Sequence, residues 1–242
     1  MTQLELITFP FALYGLKVLC FQLYESYLSW TASRSRNQLY SFLLNYYQII
    51  IWGPAGSGKT LLLSILANHP QNPYAKYTNF PSFSQNVHDS LSWSDLTMKN
   101  NLPKQSWLFL DEVGLYGNWT DPKTERKQNE DVALFLQFVR HCQHRLFVAT
   151  QRLGGGIWNE MRDRSALFIQ MTGFQKYNSF TLLTFQTSLN ERMEHPSFWR
   201  IPVTQSDYEL YESTWMSPRN ITVSSSEKSL LSGVNETRER VS

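Results

Sequence analysis

Three short apolar runs organise the chain, and each stops abruptly at polar residues. Ile49–Trp52 stops at Gly53, Trp107–Leu110 at Asp111-Glu112, and Leu146–Ala149 at Thr150-Gln151-Arg152. Unbroken apolar runs of this length read as strands buried on both faces, as in a parallel sheet. Helical patterns lie between them. Leu39–Tyr47 leads into a strand at Gln48–Trp52, and Thr60–Asn68 forms a helix closed by His69-Pro70. Tyr74–Phe80 reads as a second strand stopped by Pro81, and 82–104 is less regular, with Asp95 in a short helix. Ser106–Glu112 and Arg145–Arg152 are the two further core strands. Gly114–Gln128 reads as a polar surface loop. Asn129–Gln143 reads as a helix, with acids at its positive end and Val132, Phe135, Leu136 and Val139 on one face. Asn159–Arg164 is a short helix. Ala166–Met171 and Lys176–Gln186 pair as strands through a turn at Gly173–Asn178, and Ile201–Val203 with Asp207–Ser213 forms a last extended segment. The expected fold class is α/β: a mainly parallel central sheet flanked by helices, with extra antiparallel strands near the C-terminus. The expected domains are an apolar helical segment over 1–47, a core domain over 48–214 and a polar disordered tail over 215–242.

Leu6–Tyr24 is strongly apolar and about long enough to span a bilayer. Lys17 near its middle is costly there, and Pro10 and Gly15 weaken a single straight helix. It lacks the basic start of a secretory signal. Three readings stay open: a helix packed on the domain or on a neighbouring subunit, an interfacial membrane helix, or a span. A chain that is 42% hydrophobic and 17% charged is a folded one. A net charge of +2 is too small to imply nucleic-acid binding by itself. Aromatic residues make up 14%, which suits extra core packing or an apolar partner surface. Two cysteines, Cys20 and Cys142, make neither a disulfide framework nor a metal set, and suit a reducing cytoplasm. His141 and His144 are read as favouring a helix end and solvent, not a metal.

The chemistry sits where the apolar runs end. Gly53, Gly58, Lys59 and Thr60 satisfy G-x-x-x-x-G-K-[ST] between a strand and a helix. Small residues let successive backbone N–H groups turn inward around phosphate oxygens, and a helix start adds unpaired N–H groups. Gly53, Pro54, Ala55, Gly56, Ser57, Gly58, Lys59, Thr60 and Leu61 are therefore the expected ATP-binding residues. Lys59 is placed at the β- and γ-phosphates, and Thr60 is a magnesium ligand. Asp111 is the second metal residue, through water, and Glu112 polarises the attacking water. An adjacent glutamate favours a hydrolysing enzyme over a slow switch. Gln151 or Thr150, at the end of the third run, is the candidate contact to the γ-phosphate or the water.

The order of these pieces resembles the zonular occludens toxin (Zot-like) family of filamentous-phage assembly ATPases, within the FtsK–HerA-like P-loop ATPases. The pieces are "WGPAGSGKTLL", "YTNFP" (Tyr77–Pro81), "WLFLDEV" (Trp107–Val113), a helix and strand over Leu136–Gln151, "RSALFIQM" (Arg164–Met171) and "YELYEST" (Tyr208–Thr214). The resemblance spans about residues 48–214. It implies ATP hydrolysis with Mg2+, coupled to extrusion and coating of single-stranded phage DNA at the cytoplasmic face of the host inner membrane. It also implies a homo-oligomeric ring, phage coat or assembly proteins as partners, and an arginine acting in trans, for which Arg162, Arg164 and Arg152 are candidates. Two features depart from the family pattern. A long segment precedes the glycine loop, and nothing after Trp215 is apolar enough to span a membrane. Either Leu6–Tyr24 replaces that anchor or a separate membrane protein recruits the chain. Two other functions remain in view: a DNA-packaging or conjugative translocase, and a nucleotide-binding assembly scaffold with little turnover. An AAA+ loader fits less well, because strands follow where a helical lid would be.

Overall fold

The computed structural model describes residues 3–82, 84, 86–92, 95–97, 102–113, 126–154, 159–176 and 180–210. In chain order these form α1 (Gln3–Leu43), β1 (Gln48–Trp52), α2 (Lys59–Ala67), β2 (Lys76–Thr78), β3 (Trp107–Leu110) and α3 (Arg126–Phe138). There follow β4 (Arg145–Thr150), α4 (Asn159–Arg164), β5 (Leu167–Lys176), β6 (Thr181–Ser188), β7 (Ser197–Val203) and α5 (Gln205–Tyr208). The described strands make one sheet in the order β2-β3-β4-β1-β5-β6-β7. β2, β3, β4, β1 and β5 run parallel, while β6 and β7 add on antiparallel. The expected α/β class and its antiparallel C-terminal strands are what the chain builds.

The unbroken apolar runs are buried because helices cover both faces of the sheet. Leu108 and Leu110 of β3 and Leu146 and Val148 of β4 form one cluster with Val132, Phe135, Leu136 and Val139 of α3. On the alternate positions, Trp107, Phe109 and Phe147 stack at 4.8–5.1 Å for the pairs that include Phe147, and Tyr40 of α1 lies 5.2 Å from Trp107. β1 sits between β4 and β5, so its C-terminal end meets both neighbours at the sheet's centre.

Several boundaries differ from the sequence reading. Leu39–Tyr47 is not a separate helix. Its first part is the last turn of α1, which runs unbroken through Pro10 and Gly15. Inside a helix, glycine costs about 1 kcal/mol and proline about 3 kcal/mol, yet neither ends the 41-residue α1. No helix among the described residues is long and apolar enough to cross a membrane. The chain packs α1 unevenly: Leu16, Leu19, Phe21 and Leu23 are at least half exposed, whereas Leu39, Tyr40 and Leu43 are buried. Arg36 secures the buried half, pairing with Asp207 and donating to the Pro202 carbonyl at 3.1 Å.

α3 begins at Arg126, inside the expected loop, so Asn129-Glu130-Asp131 falls beyond its first turn, which carries no acid. The helix ends at Phe138, and turns follow before β4. Gly173 lies inside β5, at a bulge after Met171, and not in a hairpin turn. Its φ of +107° is what the bulge requires. Pro202 is tolerated because β7 is an edge strand. The expected extended segment from Asp207 instead opens as the short helix α5, where the Asp207 carboxylate accepts from the Thr204 N–H at 2.7 Å. Asp95 sits in a turn that it closes itself by accepting from the Ser92 N–H at 2.7 Å. The expected loop over 114–125, the tip of the 153–158 loop, the end of the 207–213 segment and the tail from 215 lie outside the described residues.

Candidate nucleotide site

β1 delivers the chain to Gly53, where the backbone turns with φ +156° against β5. A Cβ at Gly53 would stand 2.9 Å from the Cβ of Met171, and one at Gly58 (φ +91°) would stand 2.5 Å from Leu183 Cδ1. Both glycines are therefore required by neighbours as well as by backbone geometry. Those neighbours come from β5 and β6, a packing that the loop's own sequence does not announce. Gly58 is the N-cap of α2, and no side chain caps it. The first-turn N–H groups of α2 face the loop without a side-chain acceptor, which makes an anion-binding helix start. Ser57 is buried, and its hydroxyl has no partner. Leu61 anchors the helix in the core, while Pro54, Ala55 and Gly56 are exposed on the loop's outer turn.

Lys59 is only 4% exposed. Its ammonium donates to the Gly53 and Pro54 carbonyls at 3.0 and 3.1 Å and lies 3.9 Å from Glu112 Oε1. The Thr60 hydroxyl donates to the Asp111 carboxylate. β4 separates β3 from β1 in the sheet, and so the ends of both strands open onto one shared crevice. Burial, chiefly, pushes the Asp111 carboxyl up to about 6. The Glu112 charge adds to that rise, while the Thr60 hydroxyl, the Glu112 N–H and Lys59 oppose it.

Glu112 stands in the left-handed region at φ +49°, a conformation that costs a non-glycine residue about 1–3 kcal/mol. Its N–H donates to Asp111 Oδ1 at 2.9 Å. The Gln151 amide donates to both Glu112 carboxylate oxygens at 3.3 Å. Of the two candidates at the end of β4, Gln151 is the one that reaches the acids. Thr150 is buried and donates to the Arg152 carbonyl at 3.1 Å. Asn79 has no counterpart in the sequence reading. Its side-chain amide donates to the Asp111 carbonyl at 2.9 Å, and its side-chain carbonyl accepts the Asp111 N–H at 2.7 Å. This pair of bonds fixes the backbone of the acid where it leaves β3. The clue was present in Tyr77–Pro81, but a strand-end asparagine has no fixed chemical meaning until its partner is known.

The arginines stand apart from this cluster. Arg162 donates to Asn159 Oδ1 at 3.0 Å and pairs with Glu191 at 3.0 Å. Arg152 and Arg164 are exposed, and no described contact joins any of the three to Lys59, Asp111 or Glu112. His144 is buried, and burial pulls its pKa down.

The residues present fit a magnesium nucleoside triphosphate. The unpartnered Ser57 hydroxyl, the uncapped start of α2 and the buried Lys59 ammonium suit phosphate oxygens. Thr60 and Asp111 offer hard oxygen donors, and magnesium takes the rest of its shell from phosphate and water. Among the described residues no three His, Cys, Asp or Glu side chains gather to hold a metal unaided. The fold is that of a P-loop NTPase.

No protein-family model matches the chain, and no curated protein matches it in sequence. Among solved structures it is similar to the N-terminal domain of zonular occludens toxin from Neisseria meningitidis, at 18% identity over 69% of this chain and 100% of that one, with a TM-score of 0.49. It is also similar to the genome packaging NTPase B204 of Sulfolobus turreted icosahedral virus 2, solved with AMPPCP, at 13% identity over 65% and 98% of the two chains, with a TM-score of 0.40. A third is the flagellar accessory protein FlaH of Methanocaldococcus jannaschii, at 12% identity over 59% and 77%, with a TM-score of 0.39.

Proposed function

We propose that the chain is a magnesium-dependent ATPase and that it powers the assembly and export of a filamentous phage. One observation carries the ATPase reading: the acids ending β3 meet the Lys59-Thr60 pair ending the loop, through the Thr60–Asp111 hydrogen bond and the 3.9 Å approach of Glu112 to Lys59. Lys59, now on two loop carbonyls, would bind the terminal phosphate oxygens. Thr60 and Asp111 would hold a magnesium ion, which would supply charge neutralisation at the phosphates. Glu112 accepts the proton of the attacking water, and Gln151 pins its carboxylate in the required direction. Asn79 and Asp111 fix the backbone from which Glu112 projects. Arg152, Arg162 and Arg164 are left to act on a neighbouring subunit's site in a ring.

The motor's task is read from the sequence resemblance to the Zot-like family. Single-stranded DNA and coat or assembly proteins are then its partners, at the cytoplasmic face of the host inner membrane. The exposed apolar stretch of α1, with Leu16, Leu19, Phe21 and Leu23, is the part available for that surface or for a neighbouring subunit. Phosphate release by the purified full chain, measured alone, with circular single-stranded DNA and with duplex DNA, tests the reading. Stimulation by the single strand is expected. Stimulation by duplex alone would make the chain a packaging or conjugative translocase. Tight ATP binding without turnover in any arm would make it a scaffold and defeat the motor proposal.

A further inference from the structure

The face of β5 and β6 that meets the nucleotide loop breaks the ordinary alternation of a strand. Met171 lies on that face, against Gly53. In a regular strand Gly173 would follow it there, opposite Leu183. The bulge after Met171 shifts the register by one residue. Gly173 pairs with Thr184, and Phe174 takes the place opposite Leu183. A Cβ on Gly173 would meet nothing within 4 Å, so only its φ of +107° calls for glycine. What the bulge changes is the aim of Phe174.

It aims that ring at the start of α2. A Cβ on Gly58 would stand 2.9 Å from Phe174 Cζ and 3.4 Å from Phe174 Cε2, beside Leu183. Leu183 is fully buried, whereas Phe174 is partly exposed. Among the described residues no other ring stacks on it. Lys176 and its partner Thr181 come next on the same face; Lys176 is exposed and Thr181 partly so. Phe174 thus stands where an apolar face gives way to a polar one, at the rim of the phosphate loop.

The loop, Lys59 and the α2 start account for the phosphates of a nucleotide and leave its base without a partner. A base is apolar on both faces and polar at its edges. Laid on an aromatic ring it gains roughly ten- to a hundredfold in affinity, and the larger purine ring covers more of the platform than a pyrimidine.

We propose that Phe174 is the base platform of the nucleotide site and stacks the purine of a nucleoside triphosphate. The proposal rests on the ATPase reading and adds the residue that tells a nucleotide from a bare polyphosphate.

The test is calorimetric titration of the full chain with magnesium, using inorganic tripolyphosphate and the β,γ-methylene analogues of ATP and CTP, which are not hydrolysed. The unaltered chain, Phe174→Leu and Phe174→Trp are compared. Leucine keeps an apolar contact with Gly58 but offers no ring face, and tryptophan restores one. The unaltered chain is expected to bind the ATP analogue at least about tenfold more tightly than tripolyphosphate, with the CTP analogue between them. Phe174→Leu is expected to lose about tenfold or more for the ATP analogue and to hold tripolyphosphate within about twofold, while Phe174→Trp keeps both. Equal affinity of the unaltered chain for the ATP analogue and tripolyphosphate would overturn the stacking and leave the ATPase reading standing. So would an unchanged ATP-analogue affinity in Phe174→Leu, or an equal loss of both ligands. Binding of neither by the unaltered chain would overturn the ATPase reading and the stacking with it. The ligand comparison on the unaltered chain needs no variant, so a variant that fails to fold leaves the proposal open to refutation.

Discussion

Replacing Asp111 by asparagine removes a buried charge while keeping the shape of the side chain. In the folded chain burial raises the Asp111 carboxyl from 3.8 to about 6. A carboxyl raised by folding binds its proton more tightly in the folded state than in the unfolded one. Stability therefore falls as pH climbs from about 4 through about 6, and the loss is complete above that. A shift of about two units corresponds to about 3 kcal/mol, an upper bound on what the charged form costs. Asparagine carries no such cost: its carbonyl accepts the Glu112 N–H, and its amide donates to the Thr60 hydroxyl, which turns to accept. At pH 8, without nucleotide or magnesium, the variant is expected to melt higher by up to about 6–12 °C, given about 2–4 °C per kcal/mol for a chain of this size. At pH 5 about half of the gain remains, because the unfolded carboxyl is already ionised while the folded one is not. The same variant loses magnesium-dependent turnover. The assay is a pair of thermal melts at pH 5 and pH 8 on both proteins, followed by phosphate release. A gain equal at the two pH values, or a variant less stable at pH 8, would refute the reasoning that ionised Asp111 is held against its own desolvation.

Asn79→Ala deletes two hydrogen bonds to the backbone of Asp111; turnover is expected to fall at least tenfold in steady-state kinetics, with ATP affinity changed by no more than a few fold. Gly58→Ala places a Cβ against Leu183 and Phe174 at a φ of +91°, and calorimetry is expected to show a loss of stability of about 1–3 kcal/mol together with lost nucleotide binding.

The central strands were legible because burial on both faces leaves an unmistakable mark, a short run with no polar interruption. The loop was legible because few residue types allow its turns. Three runs that all end in polar residues marked one chemical end of the sheet, and the observed order β3-β4-β1 brings those ends together. Other features were hidden for physical reasons. The charged stretch before Asp131 looks like a loop in sequence, yet α3 begins at Arg126, since a helix needs an apolar stripe only where it meets the core. Gly173 looks like a turn and is a bulge, because glycine marks either equally well. Asn79 holds Asp111 from a neighbouring strand, and its partner is set by a register that short apolar runs do not reveal. The contact of Gln151 with Glu112 likewise depends on β4 lying beside β3, which turns a residue placed at the phosphate into one that first orients the glutamate.

Single-turnover hydrolysis by Glu112→Gln, measured beside its ATP affinity, tests the central claim most directly. Affinity within about threefold of the unaltered chain and turnover at least 100-fold lower are predicted, since the site would keep its phosphate grip and lose its proton acceptor. Full turnover by that variant would contradict the account.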